Sequence, residues 1–350
     1  MKTLLLAAIL ATLPAAAAHA CAAVTRDGSL VVNADQTVII IWDPGTRTQH
    51  FVRQADFRTD APDIGFIVPT PSRPQLAEAG SEAFDTLAEI TAPLVRTRPA
   101  VPFGCSAPAA APARASSVRV IERKRLAGYD ATVLTARSGD DLAAWLREND
   151  YPHSPGIAAW AAPYLGGTWH FTAMKIAADR PDPGNRRDLS ASAIRLTFRT
   201  DRPLFPYREP DAGAAHRELG ATSRLLRIHF ISDARYRGTL GGGAAWTGAP
   251  VWADDVTPYR ERLLRELDLP ATTGPARWIL TEFEDRWPYA PVPGDLYFSR
   301  DPDQSSLDTR STAPRPRRDL AMLGVLAFLG TRHITRRHRH VPSTTHPPRP

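Results

Sequence analysis

Residues 126–176 constrain the fold of this chain more than any other stretch, because several independent local signals follow one another there. The apolar, β-branched run at 129–136 predicts a strand. A helix should begin directly after it, because Ser138 is a good N-cap and Asp141 stands where an acid can return a bond to the cap. Three apolar residues then recur at helical spacing and should face the core: Leu142, Trp145 and Leu146.

The second half of this stretch predicts another helix and a closing strand. Ser154 and Pro155 are typical of a helix start, and the glycines at 166–167 should end the helix. From Thr168 to Ile176 the side chains alternate as in a strand, with Trp169, Phe171 and Ala173 on one face. This strand–helix–helix–strand unit predicts an α+β protein with a mixed or mostly antiparallel sheet.

The first twenty residues have the three parts of a secretory signal peptide. Lys2 is the charged start, residues 4–13 are the apolar core, and Ala18, His19 and Ala20 form a small-x-small cleavage site. The apolar run is too short for a membrane span, which needs about 20 residues. We therefore predict cleavage after Ala20 and an exported protein of the periplasm or cell envelope.

Export makes a disulfide between the two cysteines, Cys21 and Cys105, the leading expectation, because exported proteins fold in oxidising surroundings. A bridge that closes so long a loop contributes roughly 4 kcal/mol on the chain-entropy model. Two alternatives stay open. Cys21 directly follows the cleavage site and is where a lipid would be attached, although Ala18 and His19 fit that signal poorly, or both cysteines are independent thiols.

The formal net charge of +6 does not indicate nucleic-acid binding, because the positive charge is concentrated at one end of the chain. Residues 310–350 contain nine Arg and one Asp, and Lys2 lies in the predicted signal peptide. The body at 21–309 is therefore mildly acidic, unlike a nucleic-acid-binding domain. We expect no nucleic acid among the partners of this protein.

Composition divides the exported part into two predicted folded segments joined by small residues. We predict a β-rich N-terminal subdomain at 21–105, a linker or long loop at 106–117 (SAPAAAPARASS) and a central α+β domain at 118–298. Apolar patterns place the remaining strands at 28–32, 37–42, 48–53, 64–68, 194–199, 225–231 and 278–283.

Two further helices and one flexible stretch are predicted in these segments. Ser81 should begin the first helix and Pro93 should end it. The second begins at Thr257 and should bury Tyr259 together with Leu263, Leu264 and Leu267. The glycine-rich stretch 238–250 is predicted to be flexible.

The C-terminal part is predicted to lie outside the folded core. Residues 299–318 lack apolar periodicity and predict a disordered linker. In the segment 319–350, an uncharged apolar run of eleven residues, Leu320 to Gly330, precedes a basic tail. Flanking arginines are typical of a membrane anchor, but the run is shorter than the about 17 residues of a minimal span. Membrane association through residues 320–331, as a partly inserted or an amphipathic segment, is therefore the prediction.

Four blocks of the central segment carry a family resemblance: YDATVL at 129–134, LAAWLRENDY at 142–151, GTWHFTAMKI at 167–176 and IRLTFRTDRPLFPYRE at 194–209. Their order and spacing resemble the bacterial family known as domain of unknown function 2330. The phrase DIGFIVPTPSRP at 63–74 and the Cys after the signal peptide are similar to that family as well. The resemblance covers roughly residues 21–300. It implies an exported protein and no particular catalytic residue, because the family has no assigned activity.

Each candidate for chemistry has a simpler structural explanation. His170 and His229 lie on predicted strands, but no Cys, Asp or Glu joins them at the spacing of metal ligands. The acidic residues at 140–141 fit helix capping, those at 254–255 precede a helix, and those at 282–285 fit a solvated strand end. Hydrolase and phosphate-loop motifs do not occur in the sequence. We therefore predict no catalytic, cofactor-binding or metal-ligating residue.

Trp246 and Trp252 lie beside the glycine run at 241–243 and have no predicted packing role. Aromatic side chains of exported proteins often bind glycans or apolar ligands, so these two form the predicted ligand surface. The leading hypothesis is a non-catalytic binding or structural protein of the cell envelope, with an unknown envelope partner or ligand. The alternative is an unrecognised hydrolase of the periplasm or the extracellular space.

Overall fold

The computed structural model describes residues 36–53, 65–92, 118–176, 192–210, 223–288, 292 and 294–310. Several predicted features lie outside these residues: the signal peptide at 1–20, Cys21, Cys105, the linker at 106–117, and residues 311–350 with the apolar segment 320–331. Within the described ranges, no helix is both long enough and apolar enough to cross a membrane.

Strands outnumber helices in the described chain. In order, the elements are β1 (Gln36–Asp43), β2 (Thr48–Arg53), β3 (Gly65–Thr70), β4 (Gln75–Gly80), α1 (Glu82–Thr91), β5 (Arg119–Leu126), β6 (Tyr129–Thr135), α2 (Gly139–Glu148), α3 (Ile157–Ala161), β7 (His170–Ile176), β8 (Ser192–Arg199), β9 (Leu204–Phe205), β10 (Ser223–Ser232), β11 (Tyr236–Leu240), β12 (Ala249–Asp255), α4 (Arg260–Glu266), β13 (Ile279–Pro288), β14 (Leu296–Arg300) and β15 (Leu307–Asp308).

The described strands form three sheets. The largest has eight strands in the order β15-β12-β13-β10-β1-β2-β8-β4, the second has four in the order β3-β7-β6-β5, and the third has three in the order β9-β14-β11. Strands β1 and β10 pair in parallel, with Val38 opposite Ile228. The other pairs of described strands are antiparallel. The α+β fold with mixed and antiparallel sheets is therefore confirmed.

Strand β1 lies in the middle of the largest sheet because its sequence is apolar on both faces. Val38 and Ile40 point into one core, which the two smaller sheets complete. Ile39 and Ile41 point into a second core beneath helices α1 and α4. A run that is apolar at every position is typical of a strand covered on both faces.

The predicted strand–helix–helix–strand unit is present as β6-α2-α3-β7. The backbone N–H of Asp141 donates to Ser138 Oγ at 3.0 Å, which confirms the predicted N-cap. Strands β6 and β7 pair directly, and both helices pack on one face of their sheet. The helix residues predicted to face this core, Leu142, Trp145 and Leu146, are buried there, and Ile157, Trp160 and Phe171 are buried in the same core.

The predicted boundary between an N-terminal subdomain at 21–105 and a central domain at 118–298 is wrong where the structure describes these ranges. Strands β2 and β4 both pair with β8, and β3 pairs with β7. Two of the three sheets therefore contain strands from both predicted segments, which share cores instead of forming separate domains.

The predicted disordered linker at 299–318 is wrong for residues 299–310, which contain the end of β14 and all of β15. The buried Arg235 holds the turn between these strands. Its Nε lies 3.5 Å from Asp301 Oδ2, and its Nη1 lies 3.4 Å from Asp303 Oδ2 and donates to the Ser305 carbonyl at 3.1 Å. Charge-assisted hydrogen bonds around one guanidinium thus order a segment that has no apolar pattern.

The helix predicted from Thr257 is also only partly as expected. Leu263, Leu264 and Leu267 are buried, but Tyr259 is exposed, because it precedes α4 in a short 3-10 turn. Strand β5 was not among the predicted strands, since it is a charged edge strand whose residues are mostly exposed or half-buried.

Candidate functional site

The two tryptophans of the predicted ligand surface lie on opposite faces of the eight-stranded sheet. Trp246 packs against the core that contains Phe283, with ring centroids 5.6 Å apart. Trp252 lies on β12 opposite Glu282 and packs against the core beneath α1 and α4. Neighbouring residues of β13 point to opposite faces, so Glu282 and Phe283 mark two different sides. The structure does not bring Trp246 and Trp252 together on one surface.

Trp246 belongs to a buried polar cluster around Asp285, which is 2% exposed and lies on the same face of β13 as Phe283. The carboxylate accepts hydrogen bonds from Trp246 Nε1 at 3.0 Å and from Thr247 Oγ1 at 2.9 Å. The Tyr207 hydroxyl also donates to it. Three uncharged donors therefore satisfy this carboxylate, as buried polar groups require.

Glycines on two sides explain the position of Trp246. A Cβ at Gly238 would lie 2.7 Å from the indole, and one at Gly248 would overlap it. The indole fills this space and joins the glycine-rich loop to the core. The prediction that 238–250 is flexible is therefore wrong: β11 ends at Leu240, β12 begins at Ala249, and the loop between them is fixed by Trp246.

A second buried carboxylate, Asp295, is linked to the first by Tyr207. The Tyr164 hydroxyl lies 2.9 and 2.8 Å from its two oxygens, and the backbone N–H groups of Tyr207 and Arg208 donate to Oδ1 at 3.0 and 3.2 Å. Burial raises the pKa of Asp295, and these hydrogen bonds oppose the rise without cancelling it. Burial is the largest cause that raises the pKa of the Tyr207 hydroxyl, and the hydrogen bond from this hydroxyl to Asp285 is the second.

On the opposite face of β13, Glu282 is the centre of a buried ion-pair network. Arg227 Nε lies 2.9 Å from one carboxylate oxygen, and Arg310 Nη2 lies 2.9 Å from the other. The same two arginines contact Glu284 at 2.7 and 3.3 Å. Arg310 also donates to the carbonyl of Thr91, the last residue of α1, at 2.6 Å. The network thus ties the end of the described chain to a helix and to the middle of the sheet.

His229 faces the same network, with its Nε2 3.8 Å from Glu282. Burial by itself would raise the pKa of Glu282, but the interaction with the neighbouring His229, followed by the hydrogen bond from Arg310, outweighs burial and lowers the pKa to about 2. His170 lies on β7 in the four-stranded sheet, so the two histidines share no sheet face. No group of three or more His, Cys, Asp or Glu side chains suited to a metal occurs among the described residues.

The acidic residues at 282–285 are not the solvated strand end that the sequence predicted. Strand β13 lies between β10 and β12 and is covered on both faces, which buries Glu282 and Asp285. The explanation of the other acidic pairs is confirmed. Asp141 lies in the first turn of α2, and Asp255 Oδ1 accepts from the N–H of Thr257 at 2.9 Å, before α4.

Sequence reasoning missed Tyr207, Asp295 and Tyr164 as members of one cluster. Tyr207 and Asp295 stand in segments without apolar alternation, and the hydrogen bond from Tyr164 to Asp295 joins residues that are 131 positions apart. One feature of the sequence could have pointed to Tyr207. The family block at 194–209 continues beyond its strand through FPYRE, and this extension includes Tyr207.

Comparison with known proteins gives one match at the level of a family. The model of a family described as "Uncharacterized protein conserved in bacteria (DUF2330)" matches residues 14–297. No curated protein matches the chain. Among solved structures, the crystal structure of baculovirus P35 covers 77% of this chain and 98% of that chain, with 7% sequence identity and a TM-score of 0.34.

Proposed function

We propose that this chain, which belongs to the DUF2330 family of bacterial proteins, is an exported, non-catalytic binding or structural protein of the cell envelope. The signal-peptide pattern of residues 1–20 supports export. One observation carries the non-catalytic part: three of the four buried carboxylates of the described chain, Glu282, Asp285 and Asp295, accept hydrogen bonds from the protein at both of their oxygens.

This use of the carboxylates leaves little capacity for acid–base or nucleophilic chemistry. A general base or nucleophile needs a lone pair within hydrogen-bond distance of a substrate atom. The oxygens of Asp285 accept from Trp246 and Thr247, and those of Asp295 accept from Tyr164. Glu282 is bound at both oxygens by arginines. All three therefore hold strands and loops in place, which is the role expected in a binding or structural protein.

Envelope association is proposed to come from residues 320–331, the apolar run before the basic tail. Arginines beside such a run contribute by attraction to anionic lipid headgroups. A single short apolar segment gives weak, reversible binding, so removal of 311–350 should release the protein from membranes.

Cell fractionation tests export and envelope association together. We expect the full chain in the envelope fraction, a chain without residues 1–20 in the cytoplasm, and a chain that ends at Arg310 in the soluble exported fraction. Recovery of the full chain in the cytoplasm would contradict export. Identical fractionation of the full and shortened chains would contradict the role of the C-terminal segment.

An activity screen tests the non-catalytic part. The purified mature chain should not hydrolyse chromogenic esters, peptides or glycosides above the rate of a heat-denatured sample. Hydrolysis that is proportional to protein concentration and is lost in Asp285→Asn or Glu282→Gln, both still folded by circular dichroism, would favour the hydrolase alternative and overturn this proposal.

A further inference from the structure

The outer face of the three-stranded sheet carries arginines beside a tyrosine. On β11, Thr239 lies opposite Tyr297 of β14, and Arg237 lies opposite Ser299, two residues further along the same face. The guanidinium of Arg202 lies over the Tyr297 ring, with its Cζ 4.7 Å from the ring centroid. We name this surface the arginine–tyrosine face and define it by Arg202, Arg208, Arg237, Thr239 and Tyr297.

Arg208 is the most constrained arginine of this face. Its N–H donates to Asp295 at 3.2 Å, and its carbonyl accepts from Trp160 Nε1 at 3.0 Å, so both sides of its backbone are fixed. Its Cζ lies 5.6 Å from the centroid of the Tyr164 ring. Its side-chain Nε is buried and has no hydrogen-bond partner in the described part of the chain. A cation held in this way is pre-oriented and has donor capacity left.

The arginines of this face form no ion pair with any described residue, although the charge of Arg208 acts on the nearby Asp295. Arg202, Arg208 and Arg237 form no ion pair there, whereas Arg227, Arg235, Arg262, Arg277, Arg300 and Arg310 all do. Asp295, the buried acid beside Arg208, already accepts bonds from Tyr164 and the backbone at both oxygens. Burial, and after it the charge of Asp295, raise the pKa of the Tyr297 hydroxyl. The positive charges of Arg202 and Arg208 both oppose that rise, so both guanidinium groups lie near Tyr297.

We propose that the arginine–tyrosine face binds a saccharide that carries carboxylate groups. Guanidinium groups stacked on aromatic rings expose a planar edge of donors that fits a carboxylate in two parallel hydrogen bonds. Thr239 and Tyr297 carry hydroxyls on the same face, and a hydroxyl is able both to donate to and to accept from sugar hydroxyls. The cations of this face thus favour an acidic ligand, and its hydroxyl groups favour a saccharide. This inference rests on the proposed role as a binding protein.

Isothermal titration calorimetry of the full mature chain with an oligogalacturonate tests the site. A neutral oligosaccharide of the same length is the control ligand. Arg202→Gln is the test variant, because this side chain is exposed and forms no ion pair among the described residues. Arg265→Gln is the matched control variant, because it is an exposed arginine on α4, which covers the other face of the eight-stranded sheet.

We expect the wild type and Arg265→Gln to bind the oligogalacturonate equally. Arg202→Gln should bind it about tenfold more weakly, and the neutral oligosaccharide should bind the wild type at least about tenfold more weakly, as the loss of a charge-assisted hydrogen bond requires. Wild-type affinity in Arg202→Gln, equal affinity for both saccharides, or no binding of the oligogalacturonate overturns the proposal.

The same samples separate this inference from the proposed function. Chromatography of the oligogalacturonate after the titration shows whether it is intact. If the saccharide binds and is cleaved, the non-catalytic role is refuted, but the proposed binding site is still supported. If the saccharide stays intact and does not bind, the proposed binding site is refuted, but the proposed role as an exported, non-catalytic protein is unaffected.

Discussion

Replacing Arg310 by Met should destabilise the fold by about 3 kcal/mol at pH 7, because it removes one of two cations that bind the buried Glu282. Met keeps much of the apolar stem of the side chain, so the change acts on charge and hydrogen bonds. Breaking a buried ion pair costs about 3–5 kcal/mol, and we expect the lower end because Arg227 remains bound to Glu282.

The titration of Glu282 gives an independent magnitude. Its pKa is lowered from 4.5 to about 2, and each unit corresponds to about 1.4 kcal/mol, which makes the ionised form worth about 3 kcal/mol to the fold. Because the pKa is lowered in the folded state, this stability is complete above pH 4.5 and is lost as the pH falls through about 2. His229 is the first cause of the lowered pKa and Arg310 a later one, so in Arg310→Met the folded pKa should rise only in part, and somewhat less stability remains to be lost in acid.

Urea unfolding followed by tryptophan fluorescence, at several pH values between 7 and 3, measures both effects. Arg262→Gln is the control, because Arg262 is an exposed arginine that pairs with Glu266 at 2.7 Å, and an ion pair with an exposed partner contributes little to stability. The reasoning is refuted if Arg310→Met is as stable as the control at pH 7.

Three further predictions follow from packing, hydrogen bonding and the cysteines. Gly248→Ala should lower the free energy of unfolding by about 1–3 kcal/mol, because the added Cβ would overlap the Trp246 indole. Gly241→Ala is the control and should change the stability little, because its Cβ would have no contact below 3.6 Å. Equal shifts of the melting temperature in the two variants would contradict this prediction. Tyr164→Phe removes the donor to Oδ2 of the buried Asp295, while Oδ1 keeps its two backbone donors, and should cost about 1–3 kcal/mol in urea unfolding, against no measurable cost for the exposed Tyr259→Phe. Mass spectrometry of unreduced peptides should find Cys21 joined to Cys105, and a lipid on Cys21 or two free thiols would disprove the bridge.

The local structure of residues 126–176 could be predicted because each signal acts over a few positions. Ser138 reaches the N–H of Asp141 three residues away, and Leu142 and Leu146 share a face through the helical repeat alone. The same holds for the apolar run at 38–41, whose composition already requires cover on both faces. Local periodicity therefore identified these elements and the residues they bury.

The candidate site could not be predicted in this way, because its members come together only through the sheet. Glu282 and Asp285 look like the solvated end of a strand in the sequence, and nothing nearby supplies their partners. Arg310 and Thr91 are 219 positions apart, and Tyr207 is 78 positions from Asp285. The prediction that Trp246 and Trp252 share one surface was wrong for the same reason. The strand register decides which side of β13 each indole contacts.

The sequence by itself determined the α+β class, the central unit with the residues that its helices bury, and the family, because hydrophobic periodicity, caps and turns are local properties. Only the tertiary structure decided that 36–92 and 118–310 share sheets, that 299–310 is ordered, and which acids are buried. Pairing between distant strands sets the burial and the partners of every charged side chain. A charge that looks solvated in the sequence therefore becomes, in the sheet, either half of an ion pair such as Glu282 or a cation such as Arg208, which forms no ion pair with the residues that the structure describes.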